Sequence, residues 1–98
     1  MPKSRVKITI YGNVKGVGFR KSAQDLANTL GITGWALNTE TGQVVITAEG
    51  SKVDIKKFIE WCKSGPKSAK VERCEPYYQK YKDEFTKFEI LAKKFDVR

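Results

Sequence analysis

The segment Gly12-Asn13-Val14-Lys15-Gly16-Val17-Gly18-Phe19-Arg20 sets three glycines and an arginine between a strand-like and a helix-like pattern. Glycines let the chain curve so that successive N–H groups converge. A helix beginning directly afterwards adds positive partial charge. The planar fork of Arg20 can grip two oxygens at once. Together these make a cradle for a tetrahedral oxyanion. A Gly-rich turn carrying a surface arginine is the competing interpretation. The nucleotide motifs do not fit. A Walker A loop needs Gly where Val17 stands, and the dinucleotide fingerprint needs a third Gly where Lys21 stands. Asn38 closes a strand pattern ahead of a hairpin, a position where asparagine usually serves as a turn former.

What is missing narrows the chemistry further. The 98 residues contain no histidine, which removes Ser-His-Asp and Cys-His nucleophilic systems and His-based zinc sites. Cys62 and Cys74 form no CxxC pair and cannot supply a four-ligand zinc site. Neither has Arg six positions later, as a Cys-based phosphatase loop would require; Ser68 and Lys80 stand there. Two partly buried thiols in a reducing compartment are expected. The net charge of +8 favours an anionic partner without choosing among nucleic acid, membrane surface and small phosphates. No apolar run is long enough to span a membrane, and the start Met-Pro-Lys-Ser-Arg carries no apolar leader pattern, so a cytoplasmic protein is expected.

The elements that must hold the loop can be read from periodicity. Arg5 to Tyr11 alternates, with Val6, Ile8 and Ile10 on one face. Ala23, Leu26, Ala27 and Leu30 follow helical spacing, closed by Gly31. Thr33 to Asn38 and Gln43 to Glu49 predict two strands joined by the hairpin Thr39-Glu40-Thr41-Gly42. Ser51 predicts an N-cap for a helix with Ile55, Phe58, Ile59 and Cys62 inward, ended by Gly65-Pro66. Ala69 to Glu75 predicts a strand stopped by Pro76, Tyr77 to Glu84 a loop, and Phe85 to Leu91 a last strand with Phe88 and Ile90 inward. The order βαββαβ predicts an α+β, ferredoxin-like sandwich: an antiparallel sheet with two helices packed on one face. Its other face should be partly exposed, which suits Lys7, Thr9, Thr47 and Glu49. A single domain over 1–98 is expected, with its core about 5–91 and a C-terminal extension 92–98.

RNA recognition motifs share this element order, and Lys15-Gly16-Val17-Gly18-Phe19 partly imitates their signature. That signature belongs on the third strand, whereas this copy follows the first. Val17 replaces a stacking aromatic, and Gln43 to Glu49 contains no aromatic.

Two motifs in order resemble the acylphosphatase family. The loop Gly12 to Arg20 is similar to its first signature; Gly34-Trp35-Ala36-Leu37-Asn38, followed by Gly42-Gln43-Val44 and Gly50, is similar to its second. The resemblance runs from about Arg5 to Leu91. It implies a cofactor-free, metal-free hydrolase that splits the carboxyl-phosphate bond of acyl phosphates into a carboxylate and inorganic phosphate by water attack. It further implies that Arg20 binds the phosphate, that Asn38 orients the water, and that the backbone of Lys15, Gly16, Val17, Gly18, Phe19 and Arg20 holds the remaining phosphate oxygens. Inorganic phosphate is then product and expected competitive inhibitor, and a monomer is expected. Lys15 stands where the family usually has Gln, Leu37 where a basic residue is common, and Thr41 where Asp is common; the last two bear on the hairpin and on substrate preference.

The implied chemistry asks for few groups. The leaving carboxylate has a conjugate acid of pKa about 4, so it departs without a general acid. What remains is to bind a phosphoryl dianion and align a water. The alternatives are a basic RNA- or polyanion-binding module on the same fold and a catalytically silent phosphate-binding domain. Tyr77, Tyr78 and Tyr81 with Lys80 and Lys82 could stack bases, but a solvated loop is the simpler expectation; Lys56-Lys57 and Lys93-Lys94 fit solvated faces.

Overall fold

Strand alternation sets the architecture. The structure, a computed structural model, describes residues 2–92. Its elements are β1 (Lys3–Asn13), α1 (Phe19–Leu30), β2 (Thr33–Asn38), β3 (Val44–Ser51), α2 (Lys52–Cys62), β4 (Lys70–Gln79) and β5 (Phe88–Leu91). The five strands form one sheet in the order β4-β1-β3-β2-β5. The ferredoxin-like plan therefore holds, with one refinement: β5 pairs with β2 in parallel, so the sheet is mixed, while the other pairs are antiparallel.

Register aligns the apolar residues in rows across the sheet. Val6, Ala48 and Gly34 form one row, Ile8, Ile46 and Ala36 the next, and Ile10, Val44 and Asn38 the third. All the apolar members of these rows are buried, together with Ala23 and Ala27 of α1 and Ile55, Phe58, Ile59 and Cys62 of α2. Helix α1 packs on β2 and β5, and α2 on β1 and β3. Each large core side chain contributes about 1.5–3 kcal/mol by leaving water. Phe58 meets Phe88 edge-on at 6.0 Å between ring centroids, which seats α2 against the last strand.

Antiparallel pairing of β3 with both β1 and β2 makes those two strands run the same way, and β5 runs with β2. The C-terminal ends of β1, β2 and β5 thus share one edge of the sheet, where α1 also begins. Gly12 to Arg20, Asn38 and Leu91 all lie at that edge.

Several expectations change. Pro76 does not stop β4; the strand continues to Gln79, so Tyr77 and Tyr78 lie in a strand. Proline fits because β4 is an edge strand, where half of the N–H groups face away from the partner. The last strand begins at Phe88 rather than Phe85. Phe85 instead lies against the Arg5 guanidinium, 5.2 Å from ring centroid to Cζ. Ile90 shares the inward face with Phe88 but remains 36% exposed at the sheet edge.

Thr47 and Glu49 are buried, Glu49 to 2% exposure, although they project from the outer face. The segment between β4 and β5 explains Glu49. Its carboxylate accepts from the backbone N–H groups of Lys82 at 2.8 Å and Glu84 at 2.9 Å, and from Arg5 Nη1 at 3.0 Å. Arg5 also donates to Gln79 and Glu84. Lys93, Lys94 and the rest of the extension beyond Ala92 lie outside the described residues. Cys62 and Cys74 are free thiols, and burial pushes the Cys62 thiol well up.

Candidate active site

The two helices begin differently. Helix α2 is capped: Ser51 Oγ accepts from Asp54 N–H at 3.2 Å, and Asp54 lies in its first turn. Helix α1 has Gly18 at its N-cap, no side-chain cap and no acidic residue in its first turn. Gly16 and Gly18 have φ of 74° and 78°, in the left-handed region where a Cβ is strained. A Cβ on either would meet nothing within 4 Å, so their surroundings are open. The first bond into α1 runs from Ser22 N–H to Gly18 O at 3.0 Å. Among the described residues, no acceptor claims the backbone N–H of any residue from Lys15 to Lys21. Unpaired amides of this kind are satisfied by solvent or by a bound anion.

The loop is tied down from outside. Ser68 Oγ donates to Val17 O at 2.7 Å. In the trans peptide that follows, the Gly18 N–H points the opposite way from that carbonyl. Val17 packs partly against the core, and Val14 is buried in it.

Arg20 occupies the second position of α1. Its Nη1 donates to Leu91 O at 3.1 Å, at the end of β5. One bond fixes the plane of the guanidinium and leaves most of its five N–H donors free. One helical turn on, Gln24 Nε2 donates to Phe88 O at 3.0 Å, so α1 grips the same strand twice.

Asn38 shares a face with Gly34 and Ala36, two and four residues earlier, since strand side chains alternate. It therefore stands on the helix side, in the row completed by Ile10 and Val44. A carboxamide ends a row that is otherwise apolar. Among the described residues its side chain has no hydrogen-bond partner.

Gly16, Gly18, Phe19, Arg20 and Asn38 meet around one pocket of ≈ 130 Å³. Five of the expected site residues are thus brought together. Lys15 and Val17 do not line it: Lys15 is exposed, and Val17 turns its carbonyl to Ser68. Val14, Lys21 and Ile90 complete the lining and were not singled out from the sequence. Lys21 pairs with Asp25 at 3.0 Å, one turn along α1, a spacing that was legible. Ile90 arrives only through the parallel β2–β5 pairing, and no local pattern signals that. The pocket so built offers backbone N–H groups, a guanidinium and a free carboxamide around a small open space, which suits an anion with a water beside it.

The acylphosphatase family model matches residues 6–90. The chain belongs to the acylphosphatase family. An acylphosphatase of Pyrobaculum calidifontis is 43% identical over 88 residues, covering 89% of this chain and 80% of that one. One of Roseiflexus sp. is 37% identical over 91 residues, covering 93% and 98%. Among solved structures, an acylphosphatase from Bacillus subtilis superposes with a TM-score of 0.86 at 31% identity, covering 90% of this chain and 98% of that one. The fold also matches part of full-length HypF, with a TM-score of 0.83 at 29% identity, covering 93% of this chain and 12% of that one. Acylphosphatases are hydrolases acting on acid anhydrides, and the comparisons favour this activity over a nucleic-acid module on the same fold. No described helix is long and apolar enough to cross a membrane.

Proposed function

We propose that the pocket at the start of α1 hydrolyses small acyl phosphates, with Arg20 and the loop amides binding the phosphoryl group and Asn38 orienting the water. The observation that carries this is the meeting of unclaimed loop amides, the Arg20 fork and the partnerless Asn38 carboxamide in one pocket. The phosphoryl dianion sits against the N–H groups of Gly16 and of Gly18 to Lys21 and the free edge of the guanidinium. Helix dipole and arginine act on the same charge, and neither must reorganise during the reaction. Asn38 Oδ1 accepts a hydrogen bond from the attacking water and directs a lone pair at phosphorus.

Attack forms the new P–O bond as the P–O bond to the acyl group breaks. The electron pair leaves on the carboxylate, and the water's proton passes to a phosphoryl oxygen. The products are a carboxylate and inorganic phosphate. The carboxylate is a good enough leaving group to go without a side-chain acid. Phosphate fits the same cradle and competes with substrate. Free thiols at Cys62 and Cys74 support a place in the reducing cytoplasm.

Hydrolysis of benzoyl phosphate in EDTA tests the activity. Release of benzoate and phosphate, inhibited competitively by added phosphate, is expected. A purified, folded protein without turnover there would overturn it.

A further inference from the structure

A second basic site lies at the opposite end of the sheet. The start of β1, the start of α2 and the end of β4 border a shallow groove of ≈ 530 Å³, open to solvent and lined by Lys3, Lys52, Lys56, Tyr78 and Gln79. Its walls are fixed. Lys52 N–H donates to Pro2 O at 2.9 Å, and Lys3 pairs with Ser51 across β1 and β3. Tyr78 lies opposite Val6, a residue of the helix-side core, so alternation puts its side chain on the side where α2 begins. There the ring remains 54% exposed.

The charges in this groove are placed against local electrostatics. Lys52 is the first residue of α2, where the helix dipole disfavours a cation. Lys56 follows one turn later on the same face, a like-charge pair that destabilises a helix. Asp54, the acidic residue of that first turn, is occupied by the Ser51 hydroxyl at 2.8 Å. Among the described residues, no carboxylate pairs with Lys3, Lys52 or Lys56. Packing does not require these cations, since all three are exposed. Nothing among the described residues offsets these three charges, and a bound anion would.

We propose that this groove binds a nucleoside polyphosphate, its phosphates on Lys3, Lys52 and Lys56 and its base against Tyr78. Lysine ammoniums are point-charge ligands for phosphate. An exposed aromatic ring stacks a base with little sequence preference. The groove is remote from the α1 loop, so both sites can be filled together, and the proposal does not rest on the hydrolytic activity.

ATP, inorganic triphosphate and a short single-stranded RNA are titrated calorimetrically in EDTA, with Arg20→Gln protein to remove binding at the α1 loop. ATP is expected to saturate one site and to bind more tightly than inorganic triphosphate. Lys52→Glu/Lys56→Glu should weaken it at least about tenfold. Tyr78→Ala should reduce ATP to the affinity of inorganic triphosphate. Made with Arg20 intact, the Lys52→Glu/Lys56→Glu protein should hydrolyse benzoyl phosphate like the parent at physiological salt, which also reports that these substitutions leave it folded. ATP binding no tighter than triphosphate overturns the proposal, as does binding that survives the lysine reversal. Saturable binding of RNA but not of ATP overturns it in favour of a nucleic-acid surface.

Discussion

Arg20 and Asn38 are assigned different parts of one reaction, and substitution should separate them. Arg20→Gln removes the charge that faces the phosphoryl group and, with a side chain two bonds shorter, the bond to Leu91 O. The expected loss in kcat/KM is about 10³–10⁵, as for other arginine clamps on a transferring phosphoryl group, together with loss of phosphate inhibition. Asn38→Ala removes one preorganised polar contact, so kcat should fall about 10²–10³ while phosphate inhibition is retained. Steady-state kinetics with phosphate as inhibitor reads both; an Asn38→Ala protein with parental kcat would refute the water-orienting role. Arg20 and Asn38 were legible because each ends a motif with fixed spacing. Ile90 was not, because its place depends on a strand pairing across more than fifty residues of sequence. Ser68 was not, because a serine beside Gly65-Pro66 reads as ordinary turn chemistry, while its acceptor, Val17 O, lies on another loop.

At the scale of elements, the pocket depends on loops being held by neighbours. Removing the Ser68 hydroxyl frees the Val17 carbonyl and with it the orientation of the peptide that carries the Gly18 N–H. Ser68→Ala should weaken phosphate binding several-fold and lower Tm by no more than several degrees, since an exposed neutral hydrogen bond contributes only about 0.5–1.5 kcal/mol. Competitive inhibition constants and a melting curve measure the two. A second strap closes the outer face. Burial alone would raise the pKa of Glu49, but the N–H groups of Lys82 and Glu84 and the Arg5 guanidinium outweigh it and hold the carboxyl below its ordinary 4.5. A depressed carboxyl pKa stabilises the fold above the unfolded value and loses that stabilisation as pH falls through the folded one. Glu49→Gln should therefore cost about 1.5–3 kcal/mol at neutral pH, the range for hydrogen bonds to a charged group. The gap from the parent should close below pH 4.5 in urea unfolding. Alternation correctly put Glu49 on the outer face, but periodicity describes one strand and its two faces. It does not register a segment of irregular backbone that returns to cover one of them, nor that a strand at the sheet edge runs on through Pro76.

The whole molecule carries +8, far more than one cradle uses. Its extents are 35 × 27 × 21 Å. At about 0.01 M ionic strength the Debye length is about 30 Å, so a dianion approaching the α1 loop feels nearly every lysine on the surface. At about 0.15 M it is about 8 Å, and only charges beside the pocket, Arg20 and Lys21 among them, still act. The kcat/KM for benzoyl phosphate should therefore fall as salt rises between these limits, while kcat, which reports a substrate already bound, stays constant. Lys52→Glu/Lys56→Glu sharpens the test, because it lowers the net charge from +8 to +4 at the end of the sheet away from the loop. That variant should show reduced kcat/KM at about 0.01 M and the parental value at about 0.15 M. Equal kcat/KM for parent and variant at both salts would mean that charge outside the cradle plays no part in capture. The excess positive charge would then have to be explained by the remote groove alone.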